Sequence, residues 1–560
     1  VILAEGWPLN NAQVRIFSVF AAQLLLGLWI ASTPVRAQDA TGEALNARVE
    51  ALQAGLEVEI GSARLVAGEL LSEIYARRSF QPLWPGEARI RELLALLENA
   101  ALHGLDPDDY QVAELRSALL RQSLNPTSFG QADLDLLASE ALIRYVYHLR
   151  FGKVNASSLD TNINFRREFQ PDLDPPAALA ALTTSTENLA AQLAEALDFG
   201  PIYLQLQAEL ARYRQLAAAG GWEGIAPGPT LKPGDQDLRV SALRVRLAVT
   251  GELDSAAAGT DYDKELETAV RRFQQRHALD EDGVAGAQTL AAASVPVEQR
   301  IDQLRLSLER LRWVQKEQAD RNVLVVNIAG FRAFLMENGL PVWSARVQVG
   351  TPYRQTPLFR DDIRYLEINP TWTVPPTILR KDILPKLRDD PGYLTRREID
   401  VIDKNGQRVD PLSLDWSQYS RGVPYTLRQR PGPNNALGRV KFMFPNEHFV
   451  FLHDTPSRSL FGRARRAFSS GCIRVERPFE LAELLLRDSQ RWNEENFDEL
   501  LAGGKTTRIN LPEPVPILIL YLTASLSDDN VARFGPDVYE RDPTLLAALD
   551  GPVSIELPDY

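Results

Sequence analysis

The chain of 560 residues contains one cysteine, Cys472, and five histidines. A lone thiol can form no internal disulfide and no multi-cysteine zinc site, so it is either a small buried apolar residue or a nucleophile. His453 precedes it, and Asp454 to Phe468 separate that histidine from Ser469-Ser470-Gly471-Cys472. A free thiol titrates near about 8.5 and is only slightly ionised at neutral pH. An adjacent imidazole can remove its proton and later return that proton to a leaving amine. Sequence separation alone fixes neither contact nor role.

These residues need elements to bring them together. In His448-Phe-Val-Phe-Leu-His453, the alternation of Phe449, Phe451 and His453 predicts a strand over Glu447 to Leu452 that delivers the imidazole at its end. Gly471 permits a turn that other residues resist. A helix is predicted over Pro478 to Arg487, with Phe479, Leu481, Leu484 and Leu485 on its apolar face. Further strands are expected at Val323 to Ile328, Arg332 to Glu337, Trp343 to Val349 and Val515 to Thr523, with Asn338-Gly339 as a hairpin turn. The catalytic candidates thus fall in an antiparallel β-rich domain.

Upstream, residues 38–220 are rich in Ala, Leu, Glu and Arg at helical spacing and read as a helical domain. His103 and His148 within it are isolated and fit packing or surface roles. Residues 220–234 are dense in Gly and Pro, the composition of a linker. Short amphipathic helices follow at Leu238 to Leu247 and Leu266 to Phe273, then Asp282-Gly-Val-Ala-Gly286 and a helix start at Gln288. Residues 297–320 read as a connecting helix.

Two resemblances give these pieces meaning. The 235–296 stretch resembles the small three-helix peptidoglycan-binding module, which is a binder and not a catalyst. His453, its spacer and Ser469-Ser470-Gly471-Cys472-Ile473-Arg474 resemble the signature of the YkuD-type L,D-transpeptidase catalytic domain, here expected over 321–530. That signature usually carries a second histidine where this chain has Ser470, and often Asn where it has Arg474. Val349-Gly-Thr-Pro352, Gln355-Thr-Pro357, Asn369 to Pro376 and His103 to Tyr110 extend the likeness to the large YcbB-type subgroup of Gram-negative bacteria. In that subgroup a capping subdomain is inserted, here about 376–433, and residues 531–560 remain as a C-terminal segment.

The resemblance implies a multidomain α+β fold and catalysis by Cys472 with His453 as base. Cys472 would attack a tetrapeptide stem, release its terminal D-alanine, and pass the acyl group from a thioester to a diaminopimelate amine as a 3-3 crosslink. The backbone amides of Gly471 and Cys472 are candidate oxyanion donors. Arg474 can pair with a stem carboxylate, with a structural ion pair as the alternative. Trp372 and Phe451 are candidate groove walls or core residues. Ser469 and Ser470 are candidate substrate contacts, Ser469 alternatively a turn residue. Asp454 invites a triad, although the family more often orients its histidine through backbone carbonyls. No metal or cofactor is implied, and acylation by a carbapenem is.

Composition limits the rest. At 62.5 kDa the chain exceeds one core and divides into several domains. A net charge of -13 argues against nucleic acid as a partner. Arg15, the apolar run Ile16 to Ala31 and the small-residue end at Ala37 read as a secretory signal, cleaved after Ala37 or kept as an anchor in the inner membrane. The expected location is the periplasm and the expected partners are peptidoglycan stems and glycan. Two alternatives stay open: an L,D-carboxypeptidase or crosslink hydrolase of the same fold, and a noncatalytic wall-binding scaffold.

Overall fold

The computed structural model describes residues 35–168, 174–255, 259–315, 322–419 and 422–555. The expected signal falls outside them, except that residues 35–37 begin a helix at Val35–Gln53. No helix among the described residues is long and apolar enough to cross a membrane.

The N-terminal helices pack around Ser128–Phe151, which is buried over most of its length. Its polar residues must then find partners inside. Glu140 accepts from Arg144 at 2.6 Å and from the Val66 and Ala67 amides at 2.8 and 3.0 Å, which ties an irregular segment to the helix. His148 meets the Tyr110 hydroxyl at 3.1 Å and His103 meets that of Tyr203 at 3.0 Å. Both histidines are packing residues.

The small module has helices at Leu238–Thr250, Lys264–Arg276 and Ala287–Ala293, the first two capped by Asp237 and Asp263. The Gly/Pro stretch before it is less free than a linker. Ile225 and Leu231 join the module core, and Leu231 bridges Ala285, so apolar burial holds a segment that forms no regular element.

Helix Val297–Arg312 is a hub rather than a connector. Leu304, Leu308 and Leu311 enter the core of the β-rich domain, while Leu306 enters the N-terminal core. Its buried Arg312 donates to Glu309 at 2.6 Å and to Tyr203 at 2.9 Å, and Glu309 accepts the Val154 amide at 2.7 Å.

Nine strands form the main sheet: β1 Val323–Asn327, β2 Arg332–Glu337, β3 Leu340–Gly350, β4 Phe359–Ile368, β5 Val440–Met443, β6 Leu452–His453, β7 Ala467–Ser469, β8 Ile473–Val475 and β9 Thr507–Leu520. Their order is β7-β3-β8-β6-β5-β4-β9-β1-β2, and β2 pairs back onto β3, closing the sheet on itself. Asn338 and Gly339 both have positive φ, 50° and 76°, and form the tight turn that their types predict. One strand differs from its reading. Only Leu452–His453 pairs, because Asn446 bonds to the Phe444 and Val450 carbonyls and the Val450 amide, closing a loop instead of extending the strand. Phe449 in that loop has φ of 54°, rare for an aromatic residue.

The insertion between β4 and β5 has its own core, from Val374 and Leu379 to Trp416 and Leu427. A four-stranded sheet supports it, and the pairing of Trp372–Thr373 with Arg428 and Gln429 forms its base, so the unit begins slightly before residue 376. At the other end, a boundary at 530 would cut a hairpin, since Ala524–Leu526 pairs with Ala532–Phe534. The last helix, Asp542–Leu549, returns Leu545 and Leu549 to the N-terminal core.

Candidate active site

Register dictates the site. β6 and β8 are parallel, with Leu452 opposite Ile473 and His453 opposite Arg474. Across the neighbouring strands, Arg474 faces Gln348, His453 faces Lys441, and Lys441 faces Glu367. Paired residues share a face, so a polar row of Gln348, Arg474, His453, Lys441 and Glu367 crosses five strands. The adjoining row on the opposite face is Ile473, Leu452, Phe442 and Leu366, all fully buried. Alternation carried one residue before β8 puts Cys472 on the same face as Arg474.

The turn that presents Cys472 is tied at each atom it can spare. Gly471 has φ of 116°, which disfavours any side chain. Its carbonyl accepts from Thr356 Oγ1 at 2.8 Å, and Thr356 Oγ1 accepts in turn from the Gly350 amide at 2.9 Å. Tyr539 closes the frame by donating to the Gly350 carbonyl at 2.7 Å. In a trans peptide the N–H points opposite to the C=O. Thr356 therefore fixes the direction of the Cys472 amide, which bonds to no other group among the described residues. The Gly471 amide, the other oxyanion candidate, donates to Ser469 Oγ at 3.1 Å. Ser469 also donates to the Cys472 carbonyl at 2.5 Å, so it is spent on the turn backbone.

His453 is 3% exposed, and its Nδ1 lies 2.5 Å from the Asp454 carbonyl oxygen. A backbone carbonyl thus orients the ring. The Asp454 carboxylate instead accepts from the Arg439 amide at 2.9 Å and from Arg458 at 3.2 Å. Burial, followed by the nearby Arg474 charge, pushes the imidazole down to about 3. Burial likewise raises the Cys472 thiol, against the opposing pull of the Phe451 amide and the Lys441 and Arg474 charges. Both shifts favour the uncharged forms, a thiol at Cys472 and a neutral imidazole at His453.

The remaining expected residues are placed unevenly. Arg474 donates to Gln348 at 3.0 Å and has no carboxylate partner among the described residues. Phe451 lies under Lys441 Nζ, 3.8 Å from the ring centroid, and its amide faces the Cys472 sulfur. Ser470 is exposed and accepts from Arg354 Nη1 at 2.8 Å; Arg354 also pairs with Asp382 of the capping insertion at 2.5 Å. Trp372 packs half-buried against the capping core.

Lys441 and Gln348 carry no motif in the sequence, and Thr356 lies in the Gln355-Thr-Pro357 motif without any sign of its bond to Gly471. Lys441 sits between Val440 and Phe442 on a four-residue strand, too short for its alternation to stand out. Gln348 is the polar interruption between Val347 and Val349, a usable but weak signal.

Comparison with known proteins now decides the matter for the β-rich domain. Residues 321–509 match the family described as L,D-transpeptidase catalytic domain, YkuD. The chain carries a YkuD-type L,D-transpeptidase catalytic domain. Ahead of that L,D-transpeptidase domain, residues 69–210 match a scaffold domain and residues 236–293 match a family described as "Putative peptidoglycan binding domain". A Haemophilus influenzae protein described as "Putative L,D-transpeptidase" is 27% identical over 485 residues, 86% of this chain and 80% of that one. Among solved structures, an L,D-transpeptidase from Stackebrandtia nassauensis aligns at 12% identity and a TM-score of 0.21, covering 53% of this chain and 96% of that chain. One from Xylanimonas cellulosilytica aligns at 14% and 0.18, covering 52% and 98%. The assignment of the L,D-transpeptidase domain rests on the family match and the sequence relative.

Proposed function

We propose that the chain is a YcbB-type L,D-transpeptidase that forms 3-3 crosslinks in peptidoglycan outside the cytoplasmic membrane, with Cys472 as nucleophile and His453 as base. The observation that carries this reading is the polar face on which His453 pairs with Arg474, two residues past Cys472. As Cys472 attacks the carbonyl preceding the terminal D-alanine of a donor tetrapeptide, its proton passes to His453. The oxyanion that forms is met by the fixed Cys472 amide. The C–N bond then breaks, His453 returns the proton to the departing D-alanine amine, and a thioester remains. A diaminopimelate amine of a second stem attacks the thioester and gives its proton to His453, and the C–S bond breaks to restore the thiol.

Arg474 and Lys441 hold positive charge near the sulfur, which favours the transient thiolate and disfavours an early imidazolium. With only a neutral glutamine as side-chain partner, Arg474 also suits a stem carboxylate. The peptidoglycan-binding match supports the wall as substrate. Incubation of the purified chain with a diaminopimelate-containing disaccharide-tetrapeptide tests the proposal by mass spectrometry. Crosslinked dimers are expected. Trimmed monomers alone would make the protein a carboxypeptidase, and neither product from folded protein would remove it from catalysis.

A further inference from the structure

A cavity of about 910 Å³ opens where the small module meets the main sheet and the 524–534 hairpin, lined by Arg332, Arg346, Arg463, Arg466 and Arg533 on the catalytic side. Arg466 is 6% exposed and donates only to the Arg463 and Phe331 carbonyls, at 2.6 and 3.2 Å, while its Nε meets no acceptor. The buried Nε of Arg533 also meets none, and Arg533 forms no ion pair among the described residues. Burial, followed by the neighbouring guanidiniums, lowers both to about 10, against Glu476 near Arg466 and Asp528 and Glu281 near Arg533.

The carboxylates present do not quench this charge. Glu209 and Glu252 are held by Arg212 and Arg276 at 2.9 and 2.5 Å. Glu476 is spent on Arg346, and Asp528 lies 3.4 Å from Arg332. Asp280 accepts the Ala464 amide at 2.9 Å. Glu281 and Asp529 line the cavity as exposed carboxylates with no ion pair among the described residues, although Glu281 lies near Arg533 and Arg346 and favours their charge. Excess guanidinium in the floor and the exposed carboxylates at the rim complement a ligand bearing both carboxylates and an amine, whereas a phosphate satisfies only the first.

The geometry points to a second ligand site in this cavity for a zwitterionic acidic peptide with the chemistry of a diaminopimelate-bearing stem, its carboxylates on Arg463, Arg466 and Arg533 and its amine on Glu281 or Asp529. The volume suits a short peptide. The choice of a wall stem rests on the function proposed above; the cavity does not. Residues 462–466 of its wall lie on the chain between His453 and Cys472, so the site adjoins the segment that links the two.

A photoreactive disaccharide-tetrapeptide, applied to the full chain and mapped by peptide mass spectrometry, tests this. Labelling is expected on 276–281, 462–466 or 527–533 in addition to the Cys472 groove. Arg463→Gln, at an exposed position, and Arg533→Gln should each lower the cavity label at least tenfold and leave the groove label unchanged. No cavity label, or a label indifferent to both substitutions, would overturn the site. Displacement by inorganic phosphate at concentrations equal to the peptide's would overturn its assignment to a peptide. Failure of the transpeptidase reading is separate, because it would appear as absent acylation of Cys472 in the wild-type chain.

Discussion

Burial holds the His453 ring down to about 3, so it stays neutral near pH 7, the state that the proposed role as base requires. With the thiol also raised, thiolate appears only as pH climbs. Alkylation of Cys472 by iodoacetamide should therefore keep accelerating through pH 9, and Lys441→Met should slow it at pH 7 by removing a charge that favours the thiolate. A rate that levels off below pH 7 would instead reveal a preformed thiolate–imidazolium pair. Thr356 acts one step further out. Thr356→Val should lower kcat by about tenfold or more with little change in KM, since a whole oxyanion donor contributes about 3 kcal/mol and this change only misdirects one. Equal kinetics in the two proteins would remove the proposed role of that hydroxyl.

Among the elements, the capping insertion can be tested alone because its core is separate. Trp416 is 3% exposed there, and Trp416→Ala should cost about 3–5 kcal/mol, felt locally. Hydrogen exchange should rise across 372–430 and stay slow in β4 and β9; a rise throughout the chain would mean that the insertion is not an independent unit. Element legibility followed pattern length. The hairpin at Asn338-Gly339 and the helix realised as Pro478–Leu486 were readable because turn chemistry and a 3.6-residue apolar period are local. The alternation of Phe449, Phe451 and His453 misled, because Asn446 satisfies the backbone of 446–450 from its own side chain. Cys472 and His453 stood out as candidates through their motif. Gln348 and Lys441 did not, since only sheet register brings them to the site, and Thr356 was legible as a motif residue but not in its bond to Gly471, which depends on a loop crossing.

At the scale of the molecule, one helix, Val297–Arg312, inserts into two cores, and the chain's C-terminal helix returns to the first of them. Domains joined this way should unfold together, and acid should be what unfolds them. His103 and His453 are held down to about 3, and His148 and His277 well below their usual value, chiefly by burial. The unfolded chain binds protons at these positions below about 6.5 while the folded chain does not. Stability is therefore present above that pH and is lost as pH falls toward 3, each histidine adding up to about 1.4 kcal/mol per pH unit. Urea midpoints at pH 7.5 and 5 should differ accordingly, and equal midpoints would contradict the burial of these neutral rings. The central claim is covalent chemistry at Cys472, and intact mass of the chain after brief exposure to a tetrapeptide donor reads it most directly. The account predicts a mass gain equal to the donor less its terminal D-alanine, located on Cys472 and absent from Cys472→Ala; the same gain persisting in Cys472→Ala would contradict it.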